Sequence, residues 1–271
     1  MKMIAHIINT DIYGRGILKV YLEYRLRNFN FLKNAAKLLI DNSEKVLVVS
    51  SFPIPPMNIC ENDGPLGALA LYKTVEKIGG KAEIWAHEQV KKALKPFDIT
   101  FVEQPDVSEY SLLISVETVG RAKDGKYYSM SGFEVKTTTP FDEIFLEAKK
   151  LGIPTIGIGD GGNEIGMGKI RHLIEKYIPL GGKIASIVDT DELIVSAVSN
   201  WGAYGLVAQV SLEVGENLLE GWDERKNLQV IVSAGLIDGI IKKPAMSVDG
   251  ISVDIHEKIV ELLKETVNYQ L

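Results

Sequence analysis

Cysteine is almost missing from this chain of 271 residues: Cys60 stands alone. One thiol cannot close an internal disulfide, and a chain without a disulfide framework suits a reducing compartment, so a cytoplasmic setting is expected. The four histidines, His6, His87, His172 and His256, are scattered without ligand spacing, which removes any His/Cys metal signature. No stretch reaches the roughly 18 unbroken apolar residues of a membrane span. Residues 1–16 hold a short apolar run broken by His6, Asn9 and Asp11, without the apolar core and cleavage site of a secretory signal. Positive charge is not in excess either. The net charge of −6 argues against a broad nucleic-acid surface. A Walker phosphate loop is missing, since no GK[ST] follows a glycine-rich turn. Linkers, repeats and low-complexity runs are also absent, which favours one α/β domain over residues 1–271, with residues 1–40 as a helical segment packed on it.

What the chain does have is an ordinary globular composition, 46% hydrophobic and 24% charged, and one unusual stretch. Residues 156–168 read IGIGDGGNEIGMG, with six glycines among Asp160, Asn163 and Glu164. The run follows a short apolar segment beginning at Ile153 and precedes a helical pattern from Lys169 to Glu175. A strand, a glycine and carboxylate loop, then a helix is an arrangement that turns backbone N–H groups toward an anion. Glycine serves where φ is positive or where backbone must approach a ligand. The stretch therefore reads as the floor of a small-molecule site. GIGDGG also contains a loose GxGxxG, a weak signal by itself.

The remaining pattern alternates strands with helices. Short β-branched or apolar runs at 46–49, 82–85, 99–102, 112–116, 153–158 and 183–188 read as six strands. Helical spacing covers residues 17–40, with a break at Asn28–Asn30 and apolar residues at Leu18, Leu22, Leu26, Phe29, Leu32, Ala36 and Leu39. Further helices are expected after Pro65, over 88–95, 141–151 and 191–214, and near 224–234 and 254–268, with Asp63 as the cap before Pro65. Residues 1–16 leave open a packed helix or an arm. This alternation predicts a mostly parallel, Rossmann-like open sheet with helices on both faces.

In such a sheet, ligands bind beyond the carboxyl ends of the strands. Three unusual loops each follow a strand directly: 53–67, 117–128 and 159–168. All three should open on one edge. The candidate acid–base groups are Glu117, Asp160 and Glu164. The candidate substrate-binding groups are Glu61, Asp63, Arg121, Tyr128, Asn200 and the loop residues Gly161, Gly162 and Asn163. Arg121 offers the best bidentate carboxylate clamp, although Arg121, Lys123 and Asp124 also read as a solvated run. Tyr128 reads equally as a packing residue. Asn200, on an apolar helix, needs hydrogen-bond partners that a site would supply. The sequence requires no cofactor; Mg²⁺ or Mn²⁺ held by Asp160 and Glu164, with Glu61 and Asp63 nearby, is an open candidate. The expected partner is a small molecule, with no nucleic acid and no membrane; self-association stays open.

Several blocks together resemble the C-terminal domain of the D-glutamate cyclase family, also described as a domain of unknown function in bacteria and archaea. They are ENDGPLGALAL at 61–71, SVETVGRAKDGKYYSMSG at 115–132, GIGDGGNEIGMGK at 157–169, SNWGAYGL at 199–206, AGLIDGI at 234–240 and SVDGI at 247–251. The resemblance implies a lyase that cyclises D-glutamate to 5-oxo-D-proline with loss of water. Residue chemistry, rather than the resemblance, suggests the roles. Arg121 would bind carboxylate, the N–H groups of Gly161, Gly162 and Asn163 would form an anion pocket, Glu117, Asp160 or Glu164 would move protons, and Asn200 would orient the substrate. Two other readings are a phosphate- or nucleotide-binding protein using the glycine loop, and a non-catalytic sensor.

Overall fold

The computed structural model describes residues 3–136 and 139–269. Its frame is a five-stranded parallel sheet: β1 (Lys45–Ser51), β2 (Lys81–Ala86), β3 (Leu112–Thr118), β4 (Thr155–Gly159) and β5 (Glu192–Val195), in the spatial order β2-β1-β3-β4-β5. The central strands are buried on both faces, as their continuous Val, Leu and Ile runs require. Val46 and Val48 enter the main core with Ile114 and Ile156, while Leu47 and Val49 enter a second core with Leu113 and Phe145. The main core is covered by α1 (Ile4–Ile7), α2 (Ile17–Arg27), α3 (Phe31–Asp41), α4 (Pro65–Lys77), α5 (Glu88–Leu94), α7 (Arg171–Tyr177), α8 (Gly181–Ile184), α9 (Ser199–Val214), α10 (Glu224–Ser233) and α11 (Val253–Asn268). The opposite face is covered mainly by α6 (Glu143–Leu151). The class is the expected α/β open sheet with helices on both sides.

Five local expectations change. Lys183–Val188, expected as a strand, begins inside the helical turn Gly181–Ile184 and then leaves it. Its backbone bonds go to the glycine loop and the loop after β3: Ser186 N–H donates to Gly162 O at 3.0 Å, Gly166 N–H to Val188 O at 2.8 Å and Ile187 N–H to Arg121 O at 2.9 Å. The place beside β4 is taken instead by Glu192–Val195, a stretch expected within the helix, which pairs Ile158 with Ile194. Residues 99–102 make only a single bridge, Phe101 to Ile84, at the sheet edge. Helix α2 buries the face carrying Ile17, Val20, Tyr21 and Tyr24 and leaves Leu18, Leu22 and Leu26 exposed, as is Phe29 in the turn after it, while Leu32, Ala36 and Leu39 on α3 are buried. Both stripes are apolar, but the tyrosines also find hydroxyl partners: Tyr24 donates to Leu193 O at 2.9 Å and Tyr21 meets His6 Nδ1 at 3.1 Å. Finally, Gly64, not Asp63, occupies the cap position before α4.

Of the first sixteen residues, Met1 and Lys2 lie outside the described residues. The rest form a helical turn, Ile4–Ile7, and a loop held to β5, with Asn9 Nδ2 donating to Val195 O at 2.9 Å. Among the described residues, no helix is long and apolar enough to cross a membrane.

Candidate functional site

The order β2-β1-β3 reverses direction between β1 and β3, the switch point where a crevice opens beyond the strand ends. A small pocket lies there, with Glu61, Glu117, Asp160, Asn163, Asp249 and Arg15 among its walls. The loops are sewn together by backbone. Ile165 N–H donates to Thr118 O at 2.9 Å and Gly120 N–H to Asn163 O at 2.9 Å, joining the loops after β3 and β4. Asn62 N–H donates to Ile237 O at 2.8 Å, joining the loop after β1 to the C-terminal segment. Three wall residues, Glu117, Lys242 and Asp249, hold left-handed backbone at φ 45°, 57° and 55°. Such strain persists only where surrounding structure imposes it. Gly64 is fixed beside Glu117, since a Cβ there would stand 2.7 Å from Glu117 Cβ. Gly239 lies so close to Glu61 that a Cβ would fall 2.1 Å from Oε2.

The glycine loop does form a nest of N–H donors, but the protein fills it. Glu164 folds back on its own loop. Gly161 N–H donates to Oε1 and Gly162 N–H to Oε2, both at 2.7 Å, and Asp160 N–H lies 3.3 Å from Oε1. The Gly161 and Gly162 N–H groups, expected to face an external anion, instead hold an internal carboxylate. Of this group only Asp160 and Asn163 line the pocket.

Asp63 and Asn200 are also engaged with each other's helices. Asp63 accepts from Ser199 N–H at 2.9 Å and Asn200 N–H at 2.8 Å, capping α9. Asn200 Oδ1 accepts from Gly64 N–H at 3.0 Å and Gly67 N–H at 2.7 Å, capping α4, while its amide donates to Asn62 O at 3.1 Å. This reciprocal cap satisfies the orphan donors of two buried helix starts. Every polar atom of Asn200 is spent on it, which corrects Asn200 as a substrate-orienting group.

Arg121 is likewise taken. Its Nε and Nη2 grip Asp142 at 2.7 and 3.0 Å, Nη2 also reaches Glu143, and it does not line the pocket. The Tyr128 hydroxyl donates to Asp124 at 2.6 Å, away from the pocket, and only its carbonyl helps the site by accepting from Asn163 Nδ2 at 2.6 Å. The guanidinium in the site is Arg15. It reaches Asp160 Oδ2 at 3.0 Å and Asp249 Oδ2 at 2.5 Å. Asp11 holds its turn by accepting from Arg15 N–H and Gly16 N–H. An arginine between two glycines after an Asp, DIYGRG, was the available signal. Asp249 and Lys242, which also lines the pocket, are the other residues sequence reasoning missed. Their loop is organised by buried Asp238, whose carboxylate accepts from the N–H groups of Ile240, Ile241 and Gly250 and from the Ser247 hydroxyl. The blocks AGLIDGI and SVDGI thereby become one structure.

Six buried carboxyl groups share this site: Glu61, Asp63, Glu117, Asp160, Glu164 and Asp249. Burial is the main force raising Glu61, Glu117, Asp160, Asp63 and Glu164 above the usual carboxylate range. Like charges add to it at Glu61 and Glu117, Arg15 opposes it at Asp160, and donated backbone N–H bonds oppose it at Asp63 and Glu164. Burial works against the Arg15 charge, yet Asp160 and Asp249 outweigh it. Glu117 accepts from the Ser199 hydroxyl. Glu61 is 6% exposed and lines the pocket, and its carboxylate has no hydrogen-bond partner among the described residues. Nearby Cys60 is buried, which pushes its thiol up to about 12 and leaves it unreactive.

A family model described as D-glutamate cyclase-like, C-terminal, matches residues 4–264. The chain is 27% identical to the mitochondrial D-glutamate cyclase of Homo sapiens over 297 residues, covering 87% of this chain and 48% of the human protein. It thus spans about half the length of that curated relative.

Proposed function

The chain belongs to the D-glutamate cyclase-like C-terminal family, and from that premise we propose that it is a cyclising hydro-lyase that closes D-glutamate, or a related amino acid, to 5-oxo-D-proline. The observation that carries this reading is the acid-walled pocket at the strand ends, where a substrate ammonium finds carboxylates and where one carboxylate is free of other duties. In the reaction the amine nitrogen attacks the side-chain carboxyl carbon. A C–N bond forms and a C–O bond breaks. The nitrogen gives up two protons, and the departing oxygen leaves with both as water. A group that takes a proton and returns it is therefore needed, close to both atoms. Glu61 fits that task, because no hydrogen bond ties its carboxylate. Glu117, held by a single hydroxyl, is the second candidate. Lys242 lines the same pocket and makes no ion pair among the described residues, so it is the cation left for a substrate carboxylate once Arg15 and Arg121 are spent.

Glu164 in the glycine nest weighs against the phosphate or nucleotide reading. The test is incubation of the purified chain with D- and L-glutamate, with and without Mg²⁺ or Mn²⁺, following 5-oxoproline by NMR. Turnover of D-glutamate, abolished in a folded E61Q variant, is expected. No product from either enantiomer under any condition would end the proposal.

A further inference from the structure

Glu117, Asp160 and Glu164 each offer a carboxylate oxygen within 4.8 Å of the others, and all three are buried. Crowded carboxylates need protons or a cation among them. Arg15 does not serve this trio fully. Its guanidinium lies between Asp160 and Asp249, and no lysine or arginine pairs with Glu117 or Glu164 among the described residues.

Asn163 supplies a second and independent observation. It is 1% exposed and lines the pocket. Its amide nitrogen donates to Tyr128 O, which fixes the carbonyl oxygen on the other side, and that Oδ1 is buried without any partner. The oxygen faces the carboxylates: a Cβ built on Gly161 would meet Asn163 Oδ1 at 2.7 Å and Glu164 Oε1 at 2.9 Å. A buried acceptor left unpaired costs about 1–3 kcal/mol, so this arrangement is accounted for if something electropositive completes it.

We propose that Glu117, Asp160, Glu164 and Asn163 bind one divalent cation of the Mg²⁺ or Mn²⁺ class. All four donors are oxygens, with no imidazole or thiolate near, which is the donor set of a hard cation that keeps some of its water. Glu164 takes part through the lone pairs its backbone donors leave free. A second trio, Asp63, Asp160 and Asp249, is equally close. It is the poorer site because Arg15 already sits there and Asp63 is spent on α9. The inference rests on these side chains and not on the identity of the substrate.

The experiment strips the full chain with a chelator and titrates it with Mn²⁺, reading the free ion by its electron paramagnetic resonance. One bound Mn²⁺ per chain, displaced by Mg²⁺ and raising the thermal midpoint, is expected. E117Q and N163A should each weaken binding at least about tenfold, the low end of what losing even an outer-shell partner costs. D189N removes a half-exposed carboxylate paired with Lys149 and should leave binding unchanged. No uptake at millimolar Mn²⁺, or equal affinity in the wild type and N163A, overturns the site; N163A alone decides if E117Q does not fold.

Discussion

Removing the Glu164 carboxylate tests whether the glycine loop is a closed internal structure or an open anion receptor. In the native chain Glu164 takes two short N–H bonds at 2.7 Å and a longer one at 3.3 Å. Bonds to an ionised acceptor contribute about 1.5–3 kcal/mol each. Losing the two short ones in E164A therefore costs about 3–6 kcal/mol, a large part of the roughly 5–15 kcal/mol that holds a typical domain together. Relief of repulsion with Glu117 and Glu61, both raised by the Glu164 charge, offsets a fraction of this. E164Q keeps one acceptor for Gly161 but sets an amide N–H₂ against Gly162 N–H, so it should fall between E164A and wild type. Urea unfolding measures all three. Formate at millimolar concentration should raise the midpoint of E164A, whose nest is then empty, and leave the wild type unchanged. An E164A midpoint equal to wild type would refute the reasoning, as would wild-type stabilisation by phosphate competing at the same loop.

Three further outcomes follow from the same geometry. N200A orphans the Gly67 N–H and the Asn62 carbonyl and leaves Gly64 N–H only its second acceptor, Asp63 Oδ1 at 3.0 Å, so calorimetry should show about 2 kcal/mol or more of lost stability; a stable N200A that has lost only ligand affinity would contradict its capping role. R15M leaves Asp160 and Asp249 buried without their cation, for which a cost of about 3–5 kcal/mol is expected by denaturant unfolding, and a neutral result would show those acids to be protonated already. Glu224 is buried against Tyr204 and Trp222, and burial pushes its carboxyl up to about 7. Because its folded value lies above its unfolded one, the contribution is complete below about 4.5 and is lost as pH rises through about 7. E224Q should gain on wild type by roughly 2–3 kcal/mol between pH 5 and pH 8, and a pH-independent difference would refute this.

The sheet was legible because its strands are buried on both faces, so the Val, Leu and Ile runs at 45–51, 112–118 and 155–159 stand out without any alternation. Lys183–Val188 misleads for the same reason. It is apolar and β-branched in part, yet its backbone partners are Gly162, Gly166 and Arg121, and a run of residues cannot announce which neighbour will take its hydrogen bonds. Glu192–Val195 was hidden by the apolar helix that follows it. In α2 the wrong stripe looked like the core because Leu18, Leu22 and Leu26 are more apolar than Tyr21 and Tyr24. The tyrosines win because a phenol can be buried wherever a carbonyl such as Leu193 O is waiting for it.

For the site, the distance along the chain separates what could be read from what could not. Glu164 lies two and three residues from the N–H groups it binds, so its occupation of the nest is a local event of the same kind as an Asx turn. A carboxylate at that spacing after a pair of glycines is a legible warning that the cradle is filled. Arg121 and Arg15 differ in the other way. Each is an arginine on a loop near glycine, and each could have reached a carboxylate. Arg121 finds Asp142, 21 residues on, at the start of α6, whereas Arg15 finds Asp160, 145 residues on, only because the first loop folds across the ends of the strands. The number of acids and cations at the strand ends follows from topology, but their pairing follows from packing. Neutrality then becomes the useful constraint: once each cation is assigned to the acid it touches, and Asp63 and Glu164 to the backbone N–H groups they hold, the carboxylates left over, Glu61 and Glu117, mark where chemistry or a metal ion would enter.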